Sequence, residues 1–293
     1  MKTTRLAAWL VSMALLAGPL GAQAPDSRAA RMDKERDNAE LQKVPAFKVF
    51  DNLYYVGVGW VGSWLVSTGQ GLILIDTLEE RYASHVLDGV ARLGFKPADI
   101  KYVLVLQGHA DHLGGVADIQ EKYGARVAMA EGDWTMVGQP QTGRGGARFR
   151  APKRDMVVRD GDTITLDKTT LKLYVTPGHT PGTTSIDFTV YDGGKPYRAF
   201  MFGGSAPARG ATEQFLATLT RVETLAKDAQ VRIVNHPSSD PMFWDRVDTL
   251  VRRKPGEPNP FVTPGIFPTW LQSLRAEANE QLEQERAAKA KPQ

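Results

Sequence analysis

The sequence predicts an α/β chain in which two strand-rich halves, each flanked by helices, pack as two sheets with helices outside them. Three observations carry that expectation. Short apolar runs bounded by Gly and Pro recur from Phe47 onward, segments of helical period alternate with them, and four of the five histidines stand just beyond an apolar run.

The elements follow in order. Leu53 to Val58, Ser63 to Ser67 and Gly71 to Asp76 read as strands, with turns at Gly59 and Gly69 to Gly71. Glu79 to Leu93 has helical periodicity and ends at Gly94, which suits a C-cap. Tyr102 to Leu106 is the next strand, and Gly114 to Tyr123 a helix. Gln139 to Arg150, rich in Gly and Arg and without period, reads as a mobile surface loop. In the second half Thr163 to Leu166, Leu171 to Thr176, Thr184 to Val190, Ala199 to Phe202 and Val231 to Val234 are strands. Ala211 to Asp228, Met242 to Lys254 and Thr269 to Lys289 are helices, the last two joined by the proline-rich stretch Pro255 to Pro268.

The N-terminus resembles a secretory signal. Lys2 and Arg5 precede the apolar run Leu6 to Leu16, and Ala22-Gln23-Ala24 offers a cleavage pattern, although Pro25 disfavours the bond after Ala24. The run is too short to span a membrane comfortably, so export to the periplasm or beyond is expected. The expected division is a signal peptide at 1–24, a flexible or loosely helical leader at 25–46 and one domain at 47–293.

Composition excludes some functions. With 36 basic and 33 acidic residues the net charge is only +3, and no basic run with interleaved aromatics is present, so nucleic acid is not an expected partner. Cysteine is absent, so any metal site must draw on His, Asp, Glu, Gln or water.

The histidines carry the functional signal. Tyr102 to Leu106 leads into Gln107-Gly108-His109-Ala110-Asp111-His112, Leu171 to Val175 into Thr176-Pro177-Gly178-His179, and Val231 to Val234 into Asn235-His236. Loops at the carboxyl ends of neighbouring strands open on one sheet edge, where three remote segments can deliver ligands to one point. Imidazole and carboxylate are zinc donors. His85, inside a helix and without an acidic or His partner nearby in sequence, reads as a surface residue.

Gln107-x-His109-x-Asp111-His112, the Pro-Gly-His179-Thr-Pro-Gly segment and the late Asn-His236 together resemble the metallo-β-lactamase superfamily. Ile75-Asp76-Thr77 fits the same family's early structural Asp. The resemblance implies an αββα sandwich with metal at one edge, and zinc as cofactor. It implies a first zinc site of Gln107, His109 and His179 and a second of Asp111, His112 and His236. A second site without Cys is similar to subclass B3, and Gln107 to that subclass's Gln-containing variants. Glyoxalase-type and lactonase-type relatives carry a metal-bridging Asp after a strand between the last two His segments, where this chain has Gly203-Gly204-Ser205.

The implied reaction is hydrolysis of the β-lactam amide bond of penicillins, cephalosporins or carbapenems. Zinc-bound water, its pKa lowered to ~7, attacks the carbonyl. Asp111 binds the second zinc and orients the water, while Asp76 and Thr180 support the ligands from behind. Ser205 and Arg209 are candidates to receive the substrate carboxylate. An amide oxygen is a poorer zinc donor than imidazole, so one or two zinc ions are expected, the second site filling first. A monomer acting on a small molecule is expected. The alternatives are a lactonase-type hydrolase on the same scaffold, or a zinc-binding homologue impaired by Gln107.

Overall fold

The computed structural model describes residues 27–139 and 149–290. The signal segment, and the centre of the loop expected at Gln139 to Arg150, lie outside the described residues.

Two short helices come first, α1 (Arg28–Lys34) and α2 (Ala39–Gln42). A sheet follows, built from β1 (Phe47–Phe50), β2 (Leu53–Tyr55), β3 (Trp64–Thr68), β4 (Gly71–Ile75), β5 (Ile100–Leu104), β6 (Arg126–Ala130) and β7 (Met156–Val158), paired in chain order. Helices α3 (Ala83–Arg92), α4 (Ala110–Leu113), α5 (Val116–Tyr123) and α6 (Glu131–Val137) interrupt it. The second sheet has the order β12-β11-β10-β9-β8, from β8 (Thr163–Leu166), β9 (Thr169–Val175), β10 (Thr184–Asp192), β11 (Lys195–Met201) and β12 (Val231–Ile233). Helix α7 (Thr212–Leu225) precedes β12, and α8 (Phe243–Arg252) and α9 (Ile266–Ala290) follow it.

The period-2 alternation of the strands sorts their side chains into layers. On β3 and β4, Trp64, Val66, Ile73 and Ile75 face the second sheet, whose Leu171, Ile186 and Met201 meet them. Leu65, Leu72 and Leu74 point the other way, onto Val86 and Val90 of α3 and Val116 and Ile119 of α5. Behind the second sheet, Phe200 and Phe202 pack against Phe215, Leu219 and Val222 of α7 and Phe267, Trp270 and Leu274 of α9. Three apolar seams between four layers make the αββα sandwich that the sequence implied.

The described part of the leader carries the two short helices α1 and α2. Ala29 and Met32, one helical turn apart on α1, are buried in the core between the sheets, and the Gln42 amide donates to the carbonyls of Met32 (2.8 Å) and Glu35 (3.1 Å). Three details after the leader depart from the sequence reading. Strands β6 and β7 and helix α6 were not anticipated, because Ala128-Met129-Ala130 has helix-favouring side chains and the other two elements are very short. Helix α9 starts at Ile266 rather than Thr269. Pro268 is tolerated in its first turn, where an N–H has no intrahelical partner anyway. His85 is half-buried rather than on the surface, its Nε2 lying 3.2 Å from the Gly57 carbonyl oxygen.

No helix among the described residues is long and apolar enough to cross a membrane.

Candidate metal centre

Strand direction gathers the site. β4 and β5 are parallel, so Asp76 and the Gln107 to His112 segment leave the first sheet at the same edge. β9 and β11 both run antiparallel to β10, and β12 runs parallel to β11. His179, Gly203 to Ala206 and His236 therefore leave the second sheet at one edge. Three bonds join the two edges: Thr184 N–H to the Leu106 carbonyl (2.8 Å), the Trp64 indole N–H to the Val234 carbonyl (2.8 Å), and Gly62 N–H to the Asn235 carbonyl (2.6 Å).

Asp111, His112 and His236 form one group. His112 Nε2 lies 3.2 Å from His236 Nε2 and 3.4 Å from Asp111 Oδ2, which is 3.5 Å from His236 Nε2. Behind them, Asp76 Oδ2 stands 2.8 Å from His112 Nδ1 while its Oδ1 accepts the Leu106 N–H at 2.8 Å. Asp76 is fully buried and has φ +58, a left-handed conformation that Asp tolerates better than most residues. His236 Nδ1 faces the Trp60 carbonyl oxygen at 3.3 Å, and its ring packs on the Trp60 indole at 5.5 Å between centroids.

Gln107, His109 and His179 form the second cluster of donors. The two imidazoles meet edge to face at 4.9 Å, and His109 Nδ1 is 3.1 Å from Gln107 Oε1. His179 Nδ1 donates to the Ala206 carbonyl at 2.6 Å, which leaves Nε2 as its free donor atom. Gln107 Nε2 lies 2.5 Å from His112 Nε2, so the amide straddles the two groups, with its oxygen toward His109 and its nitrogen toward His112.

The supporting residues divide. Asp76 touches His112 directly. Thr180 acts at one remove: its hydroxyl donates to Asp133 Oδ2 at 2.9 Å, and its N–H to Thr183 Oγ1 at 2.8 Å. Asp133, on α6, went unnoticed in the sequence, where its only signal is an acidic residue in the first turn of a seven-residue helix. Ser205 follows the two glycines beside His179 and lines a cleft with Arg232, Asp240 and Trp270. Arg209 is exposed and lines a different cleft, against Gln281 and Glu285 of α9.

Burial lowers the pKa of His109, and of His236 against the pull of Asp111. His179 is pushed down to about 4, by burial and then by His109. Three imidazoles are thus neutral at pH 7, the form that binds metal. Burial alone would lower His112 too, but the carboxylates of Asp111 and Asp76 outweigh it and raise the ring to about 10. Burial would raise Asp111, yet His112, His236 and His109 together hold it well below the usual carboxylate range.

This donor set fits a dication. Four-coordinate zinc with ligands at 2.0–2.1 Å separates neighbouring donor atoms by about 3.3 Å, against 3.2, 3.4 and 3.5 Å within Asp111, His112 and His236. The carboxylates favour a second proton on His112, but the Gln107 and His236 nitrogens crowd its Nε2 and leave Asp111 as acceptor. A dication there satisfies both nitrogens and the carboxylate together.

The superfamily model for metallo-β-lactamases matches residues 57–192. The structure of BJP-1, a subclass B3 metallo-β-lactamase of Bradyrhizobium japonicum, is 33% identical with a TM-score of 0.76, the alignment covering 85% of this chain and 97% of that one. The chain belongs to the metallo-β-lactamase superfamily. A second superfamily structure, the Cronobacter sakazakii metallo-β-lactamase with the HARLDQ motif, is 27% identical with a TM-score of 0.74, covering 83% and 100% of the two chains. Among curated superfamily relatives, a hydroxyacylglutathione hydrolase of Acidiphilium cryptum is 26% identical over 150 residues, 51% of this chain and 48% of that protein. The chain spans about half the length of such curated relatives. Membership supports a metallo-hydrolase, and BJP-1 belongs to the subclass that the cysteine-free site resembles.

Proposed function

We propose that this chain is an exported, monomeric zinc β-lactamase of subclass B3 type, acting on penicillins, cephalosporins or carbapenems. One observation carries the choice of a lactam over the thioester of the hydroxyacylglutathione hydrolases. The glyoxalase-type bridging Asp would follow β11, at Gly203 to Ser205. A Cβ at Gly203 would lie 2.1 Å from the Thr184 carbonyl oxygen, and one at Gly204 would lie 2.4 Å from His179 Cβ. Neither position accepts any side chain without backbone movement. Ser205, the remaining position, has no carboxylate.

In this reading Asp111, His112 and His236 hold one zinc, and Gln107, His109 and His179 the other. When bound, zinc supplies a Lewis acid and a water activated at neutral pH. Asp111, ionised and one-fifth exposed, can accept a hydrogen bond from the attacking water and orient it toward the carbonyl carbon. Water adds to that carbon, the ring C–N bond breaks, and the nitrogen leaves protonated. Asp76 and the Trp60 carbonyl keep the Nδ1 atoms of His112 and His236 turned away from the ion. Ser205 is assigned to the substrate carboxylate, whereas Arg209, which lines the separate cleft against α9, is not.

The curated relatives favour a second reading, hydrolysis of a glutathione thioester. Zinc-loaded protein offered a carbapenem, an acyl-homoserine lactone and an acylglutathione thioester separates the two. Lactam opening alone supports the proposal, and thioester turnover without lactam opening overturns it.

A further inference from the structure

We propose that Asp133 is a positioning residue that binds the two loops of the Gln107, His109 and His179 cluster into one unit, and so governs that metal position without touching the metal. The inference rests on the two-ion reading above.

Each donor cluster needs something behind it to hold its geometry. For Asp111, His112 and His236 the anchors are Asp76 and the Trp60 carbonyl. Gln107 and His109 sit on the loop after β5, whereas His179 sits on the loop after β9. The carboxylate of Asp133 lies between these loops. Its Oδ1 accepts the Gly182 N–H at 2.8 Å and its Oδ2 the Thr180 hydroxyl at 2.9 Å, both on the His179 loop. Gly108, between Gln107 and His109, packs on the same residue: a Cβ there would lie 3.3 Å from both Cβ and Cγ of Asp133. One side chain thus fixes the backbone on both sides of the cluster.

The packing is close enough to transmit position. A Cβ at Gly182 would lie 2.5 Å from Asp133 N and 2.7 Å from its Cγ, so the loop rests directly on this residue. Asp133 is fully buried, and none of the hydrogen bonds or ion pairs among the described residues gives it a basic partner. A buried carboxyl without a counter-ion is costly for stability. Its N–H and O–H partners lie on the His179 loop and its packing reaches Gly108 on the other, which is what its burial achieves. The dependence should be strong here, because the amide of Gln107 is a weak donor and relies on being held in place.

The test is zinc competition against a chromophoric chelator for the full-length wild type, Asp133→Asn and Asp133→Ala, with cobalt(II) spectra as a second readout. The alanine variant should lose ~10–100-fold in affinity for one ion while the other binds as in wild type. Asparagine, which keeps an oxygen for Gly182 and an N–H for the Thr180 hydroxyl, should fall between. It preserves the volume and answers the question even if the alanine variant fails to fold. Folded variants that bind both ions as wild type does, or lose affinity equally for both, overturn the proposal alone. Wild-type protein that takes up only one ion at saturation overturns the two-ion reading and this proposal with it.

Discussion

Asp76 and His112 meet at 2.8 Å, Oδ2 to Nδ1, both fully buried at the edge where two parallel strands end. The other oxygen of Asp76 accepts the Leu106 N–H, and the Ser63 hydroxyl donates to its carbonyl at 2.8 Å. One residue in a left-handed conformation thus ties the start of the ligand loop to its most buried ligand. The pairing keeps the proton of a neutral His112 on Nδ1 and turns Nε2 toward Asp111 and His236.

Asp76→Ala removes both bonds. Leaving the buried Leu106 N–H without a partner costs roughly 1–3 kcal/mol, and loss of the His112 orienter costs ~10–100-fold in metal affinity. Urea denaturation of the metal-free protein reads the first effect and chelator competition the second. Unchanged metal affinity would remove Asp76 from the account.

Gln107→His supplies an imidazole where an amide now straddles the clusters. The weaker of the two zinc affinities should rise by at least ~10-fold, the factor attached to even a supporting contact, while the tighter one stays put. Calorimetric titration measures both. Two equally tight ions in the wild type, unaffected by the substitution, would contradict the ranking of the sites.

Asp133 gives a pH signature. Burial raises its carboxyl from an ordinary 3.8 to about 6, against the Gly182 and Gly108 N–H groups and the Thr180 hydroxyl and with help from the Asp76 charge. A folded pKa above the unfolded one means stability fully present below about pH 4 and lost as pH rises through about 6. The difference corresponds to on the order of 3 kcal/mol. Asp133→Asn does not titrate, so wild-type stability minus variant stability, both metal-free, should fall between about pH 4 and 6 and level off by about 7. Urea midpoints across that range check the sign, and a difference that grows with pH refutes it.

The docked leader is open to the same kind of test. Met32 is buried against the Gly59-Trp60 turn, Gly59 N–H donates to the Gln42 carbonyl at 2.8 Å, and the Arg36 guanidinium lies 4.9 Å from the Trp60 ring that packs on His236. Met32→Ala should therefore lower stability by roughly 2–5 kcal/mol, whereas a loose leader would give no measurable loss. The effect is read from denaturation midpoints.

The ligand histidines were legible because each ends an apolar strand, and strand direction is enough to put such loops at one edge. Asp76 was singled out through the family resemblance instead. Thr180 was placed one step too close to the metal, since a hydroxyl next to a ligand in sequence says nothing of the carboxylate it meets across the fold. Asp133 was invisible: its role comes from a contact across nearly fifty residues. The docking of the leader could not be read because Ala29 and Met32 are too few to make an apolar period, and their burial depends on a pocket built by distant strands.

Carbapenem turnover, followed at each step of a zinc titration of metal-free protein with bound zinc counted in parallel, tests the central claim most directly. Ring opening should rise as zinc fills the Asp111, His112 and His236 group, stop when a chelator strips the metal, and return when zinc is restored. Folded protein carrying its full complement of zinc that opens no β-lactam ring would contradict the account.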